Sequence, residues 1–185
     1  MSRFTALCAV LLLVLPAARA EVMLSGFLQQ NTAFNTVTAN PDGRHYKWLE
    51  ERVQLKLDAT GGAWRLLANG DLAYDHLGRQ DQSELREGYI DYTAGDWDMR
   101  VGRQIITWGL GDLVFVNDVF PKDHGALFAG RPLEYLKRGA DAVKLGAYSE
   151  FASFELVLAP NFHESRTPDP HRFWLYDPLP DVTNR

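Results

Sequence analysis

The chain holds a single cysteine, Cys8, and it lies in an apolar stretch near the N-terminus. The remainder is cysteine-free, which excludes a small exported scaffold held together by disulfides. Beyond residue 20 no apolar run approaches the about 18 residues that a membrane-crossing helix needs. Any contact with a bilayer interior therefore has to be made by strands. Clustered positive charge is also missing. The formal net charge is -5, with bases and acids interspersed, so no patch exists to hold a phosphate backbone and nucleic acid is not expected as a partner.

Catalytic signatures are absent as well: there is no G-x-S-x-G and no H-E-x-x-H. His45, His76, His124, His163 and His171 fall in loop stretches without metal-ligand spacing. Asp118 and Asp123 lack the D-x-D-x-D-G pattern of a calcium loop. No metal, no cofactor and no enzymatic activity are expected.

What is present begins with a leader. Arg3 supplies a basic start, Ala6 to Leu15 form an apolar core, Pro16 breaks it, and Ala18-Arg19-Ala20 is a small-x-small cleavage site. That three-part pattern predicts a secretory signal peptide over residues 1–20.

From Glu21 onward the dominant pattern is alternation. Glu21 to Phe34 is the first expected strand, and Asn35 to Lys47 a loop with Asn40-Pro41-Asp42-Gly43 as its turn. In Trp48 to Ala59, Leu49, Val53, Leu55, Leu57 and Ala59 share one parity, and Glu50, Arg52, Gln54, Lys56 and Asp58 the other. Helical spacing cannot separate the two sets in this way, so the segment is a strand. Thr60-Gly61-Gly62 turns the chain into Trp64 to Tyr74, and Asp75 to Ser83 reads as a polar loop. Glu84 to Gly109 then reads as a hairpin around Ala94-Gly95-Asp96. A long loop, Leu110 to Lys137, precedes two more strands, Arg138 to Ser149 and Glu150 to Ala159, on an almost absent turn.

Long and short connections alternate along this chain. An up-and-down meander with loops at one end and tight turns at the other gives that rhythm, as in outer-membrane barrels. The expected fold is all-β: an antiparallel up-and-down meander forming the N-terminal portion of a transmembrane β-barrel, with strands over 21–159. Seven strands do not make an even-numbered bacterial barrel. Residues 160–185 are expected to be a long loop of a truncated chain, since Pro178 and Pro180 argue against an eighth strand over 172–182.

The segment LREGYIDYTAGDWDMRVGRQIITWGLGDLVFVNDVFPKD, residues 85–123, carries an aromatic-x-Asp strand, a Gly-Asp turn, V-G-R-Q, W-G and N-D-V-F-P-K-D. It resembles a family of Gram-negative porin-like outer-membrane proteins of unknown function, similar in style to alginate-export barrels. The resemblance implies a β-barrel, outer-membrane placement and passive transport.

In a barrel the polar parity lines the lumen. The expected pore-lining residues are Arg52, Gln54, Lys56, Asp58, Arg65, Asn69, Asp71, Asp91, Asp98, Arg100, Gln104 and Lys144, with Glu155 beside them. Asp112, Asn117, Asp118, Asp123, His124 and Arg131 lie in the long loop, which porins commonly fold into the pore as a constriction. Arg103 falls on the apolar parity, and a bulge at Gly102 is expected to turn it inward. The expected partners are outer-membrane lipid and an unspecified small solute; a homo-oligomer is compatible with such a barrel. The competing expectation is a secreted soluble β-sheet protein, either a carbohydrate-binding module or a glycosidase using paired carboxylates. In that case the row containing Val53 would meet a second sheet instead of lipid.

Overall fold

The computed structural model describes residues 20–36, 43–108 and 118–169. The expected leader up to residue 19, Asp112, Asn117 and the stretch 172–182 lie outside the described residues. Seven strands follow one another in a single antiparallel sheet: β1 Glu21–Phe34, β2 Tyr46–Gly61, β3 Trp64–Asp75, β4 Gln80–Ala94, β5 Trp97–Gln104, β6 Ala140–Tyr148 and β7 Ser153–Leu158. Each pairs with its sequence neighbours, and among the described residues the outer edges of β1 and β7 are unpaired, so the sheet is open.

The tight turns follow from their residues. Gly62 and Gly95 occupy left-handed backbone, with φ of 58° and 59°, where a Cβ would be strained. At the β6–β7 turn the Ser149 backbone N–H donates to the Ala152 carbonyl at 2.9 Å, and the Ala152 N–H donates to the Ser149 hydroxyl at 3.1 Å. That turn spans residues 149–152, wider than the sequence suggests, so β7 begins at Ser153.

Three further local expectations need correction. Gln80–Ser83, expected in a loop, belong to β4 and pair with Leu72–Asp75. The turn before them is held by Asp75, whose carboxylate accepts the Leu77 N–H at 3.0 Å. The long connection after β5 is not irregular throughout. It carries a short helix, α1, His124–Phe128, capped by Asp123, and a 3-10 turn over Leu133–Leu136.

The third correction concerns Gly102. The β4–β5 register runs unbroken through Tyr89↔Gly102 and Gly88↔Arg103, so no bulge turns Arg103 inward. Gly102 instead meets a spatial limit: its φ is 129°, and a Cβ there would strike the Gly88 carbonyl oxygen. Arg103 keeps the parity of Val101 at the strand end, opposite Asp141, whose carboxylate lies 3.5 Å away. The irregularities fall elsewhere. One separates Ala33 from Phe34 in the β1–β2 pairing. The other lies opposite Asn69 and Gly70, where Arg86 is the extra residue of β4.

Candidate functional site

The register sorts the side chains into two faces. Across β2–β3, Arg52 lies opposite Ala73, Gln54 opposite Asp71, Lys56 opposite Asn69 and Asp58 opposite Leu67. Arg65 then lies opposite Asp91, Asp91 opposite Arg100, and Arg100 opposite Lys144. Asp98, Gln104 and Glu155 follow the same parity. All the expected pore-lining residues therefore share one side of the sheet, called here the inner face.

The opposite, outer face is apolar and bare. Leu24, Leu28, Leu55, Leu72, Trp97, Phe154, Leu156 and Leu158 are exposed. Leu66 and Ala59 are buried, as cross-strand partners shielded by neighbours in their own sheet, and no other described element covers them. Aromatic side chains mark both ends of this face. Trp64, Tyr92, Trp97 and Phe154 stand at the end with tight turns; Phe34, Tyr46 and Tyr74 stand at the other. Trp64 packs on Tyr92 with ring centroids 4.5 Å apart, and Phe34 meets Tyr46 edge-on at 6.3 Å. From Trp64 to Tyr74 is ten steps along β3. At about 3.3 Å per residue that is about 33 Å of strand. Tilted by about 40°, it spans about 25 Å, the height of an outer-membrane barrel's apolar band.

The inner face is covered at the end away from the tight turns. Ile106 packs with Phe120 and Ala142, and the Trp108 indole N–H donates to Glu155 at 3.0 Å, so the chain leaving β5 bends over this side. Within the returning segment, Arg131 donates to both Glu50 oxygens at 3.0 and 2.7 Å. Tyr135 takes a hydrogen bond on its hydroxyl oxygen from the Gln54 amide at 2.9 Å. The Arg86 guanidinium lies 3.8 Å from the Tyr135 ring centroid and donates to the Glu134 carbonyl at 2.6 Å.

Beneath these contacts Arg52 bridges Glu50 and Asp71, which makes a dry cluster: Glu50 is 1% exposed and Arg52 5%. Charges at such depth persist only when paired. Burial, and then the neighbouring Arg52 charge, push the Arg131 guanidinium below its ordinary range despite Glu50. Burial pushes the Tyr135 hydroxyl above its own, which keeps it a neutral hydrogen-bonding group.

Towards the tight turns the inner face is open. Arg65 forks onto Asp58 at 2.9 and 2.6 Å, Arg100 forks onto Asp91, and Lys144 reaches Glu155 at 2.6 Å. These side chains are partly solvated, and the alternating signs run across successive strands. Gln104 is fully buried and donates to the Ala142 carbonyl at 2.9 Å. Lys56, Asn69 and Asp98 are half-buried.

Of the loop residues named from sequence, Arg131 reaches the wall. Asp118 instead forms a buried pair with Lys122 at 2.6 Å, and Asp123 caps α1 while taking Arg166 at 3.0 Å. His124 opens α1, its backbone N–H donating to the Arg166 carbonyl.

Glu50, Arg86, Trp48 and Tyr135 were not singled out as site residues by the sequence reading. Glu50 and Trp48 simply continue the Arg52 parity, a signal that was available. Arg86 is hidden by the bulge that breaks the period, and nothing around Tyr135 marks it. No protein-family model matches this chain, and neither does any curated protein or solved structure, so its geometry alone carries the functional reading.

Proposed function

We propose that these strands are part of the wall of a porin-like outer-membrane barrel that passes small hydrophilic solutes, with residues 118–137 narrowing the lumen. One observation carries this reading. The sheet is inside out for a protein in water: its charged face lies beneath folded chain at one end, while its apolar face is bare and bordered by aromatics at both ends. A bilayer offers that arrangement a matching solvent, with lipid outside and water inside. A secreted sandwich would bury the row of Leu55 and Leu72 against a second sheet, and no described element does so.

The backbone sets one further condition. In lipid every strand edge has to be paired, so β1 and β7 need additional strands beside them. Whether one chain or several copies close the wall is read from the mass of the inserted species.

The test is expression with the leader, followed by membrane fractionation and gels run with and without heating. Recovery in the outer membrane, heat-dependent migration and faster swelling of sugar-loaded proteoliposomes are expected. Recovery as a buffer-soluble periplasmic protein would overturn the proposal.

A further inference from the structure

The sheet has a step in it. β4 runs from Gln80 to Ala94, but its pairing with β5 ends at Gly88↔Arg103. Beyond that point Gln80–Leu85 pair with β3, and among the described residues no strand takes their other edge.

Which backbone groups are left over follows from the ladder. The His76 N–H donates to the Leu49 carbonyl at 2.9 Å, so His76 turns its backbone towards β2. Backbone groups alternate sides along an antiparallel strand. Asp75, Ala73 and Asp71 therefore turn towards β4, where Gln80, Gln82 and Glu84 are their partners. The Glu84 carbonyl oxygen agrees, lying 3.5 Å from the place that a Cβ on Gly70 would take. Asp81 and Ser83 then direct their N–H and C=O groups to the edge away from β3.

That edge borders a groove of about 990 Å³. Six consecutive residues of β4, Gln80 to Leu85, line it, and lining by both parities fits a strand met along its edge. Gly88 and Arg103, the last pair of β4 and β5, line it too, with Arg138 and Arg166 from the returning chain. The groove thus lies where β5 would run if it continued past Gln104. At about 3.3 Å per residue the free edge is about 20 Å long.

An edge of unpaired main-chain groups is a template for another strand. The side chains around it narrow the choice. Arg103 faces Asp141, Arg138 donates to the Glu164 carbonyl and Arg166 is held by Asp123, while Asp81 and Glu84 stand on β4. Charges of both signs favour neither a basic nor an acidic segment. Gln80, Gln82 and Ser83 offer neutral hydrogen-bonding groups instead.

We propose that this step is a β-augmentation site, where an extended, uncharged polar peptide of a partner polypeptide adds a strand against Asp81 and Ser83. Main-chain hydrogen bonds supply the affinity. The site rests on the step between β4 and β5 and not on solutes crossing a membrane.

The probe is a capped, fluorescently labelled hexapeptide with the sequence of Leu28–Ala33, LQQNTA, which is uncharged, mostly polar and extended in β1. It is titrated against the full chain in detergent micelles and followed by anisotropy, with empty micelles as the blank. Saturable binding is expected, and a fully N-methylated copy, which keeps every side chain but no main-chain donor, should not bind. Ser83→Pro removes an outward N–H, a change an edge strand tolerates. It is expected to weaken binding about tenfold, on the order of one hydrogen bond. Ser83→Ala keeps that N–H and should bind as the parent does. Far-UV circular dichroism verifies that both variants retain the sheet.

No saturable binding of the parent peptide would overturn the proposal. Equal binding of the N-methylated copy would also sink it, since side chains alone would then hold the peptide. So would equal binding to Ser83→Pro, which places the peptide on the outer edge of β1 or β7. Liposome swelling is read separately, so loss of the pore reading and loss of this site are distinguishable.

Discussion

The two faces of this sheet are made from the same strands, residue by residue in alternation, yet they solve opposite problems. On the covered end of the inner face charge is buried and paired: Glu50 and Arg52 lie under Arg131, and Asp71 ties Arg52 to Gln54. On the outer face the side chains make few demands and have no cover. Leu28 is 79% exposed and Phe154 70%. The contrast teaches that the period of two specifies only a difference between the sides. Which side becomes the interior is decided by what covers it, and here the covering segment docks onto charge through Arg131 and Tyr135.

The contrast can be broken from either side. The largest effect is expected from Glu50→Ala, which removes the carboxylate shared by Arg52 and Arg131. Breaking a buried pair in this way costs about 3–5 kcal/mol. The urea midpoint of the refolded protein should fall accordingly, and Trp48 fluorescence should change as Arg131 leaves its ring. An unchanged midpoint would mean that the segment is not anchored there. Next comes Leu55→Arg, set against its neighbour Lys56→Leu. In lipid vesicles a mid-depth Arg on the outer face should cost about 2–4 kcal/mol. The inward Lys56→Leu should stay within about 0.5 kcal/mol, as at other half-solvated positions. Equal effects would erase the distinction between the faces. The smallest change is expected from Arg65→Gln at the open end, where the Asp58 pair is partly solvated. A loss of at most about 1 kcal/mol, shrinking further in high salt, is the expected result.

Much of the sheet was legible because alternation is a local property. The span of β1 can be read directly, and β3 is read to within a residue, since apolar residues recur at every second position, as in Val22, Leu24 and Leu28 or Trp64, Leu66 and Ala68. The start of β4 was not legible. Gln80–Ser83 extend the strand past the apolar band, where both faces are polar and a strand looks like a loop. Arg86 was hidden for the opposite reason, because one inserted residue shifts the period. Arg103 was expected to be turned inward by a bulge; it stays on the apolar parity, and its accommodation depends on Asp141, 38 residues further on. The docking of Tyr135 and Arg131 lies furthest from what a sequence carries. It depends on how a long connection returns to strands some 80 residues earlier, and no periodicity encodes that return.

The most direct measurement uses two neighbouring probes. Leu55→Cys and Lys56→Cys are made separately in a Cys8→Ser background, labelled with an environment-sensitive fluorophore and refolded into vesicles. If the outer face meets lipid, brominated acyl chains will quench the label at position 55, and aqueous iodide will quench the one at position 56. If bromolipid fails to quench at position 55, or quenches both positions alike, the apolar face is not a membrane surface and the barrel reading falls.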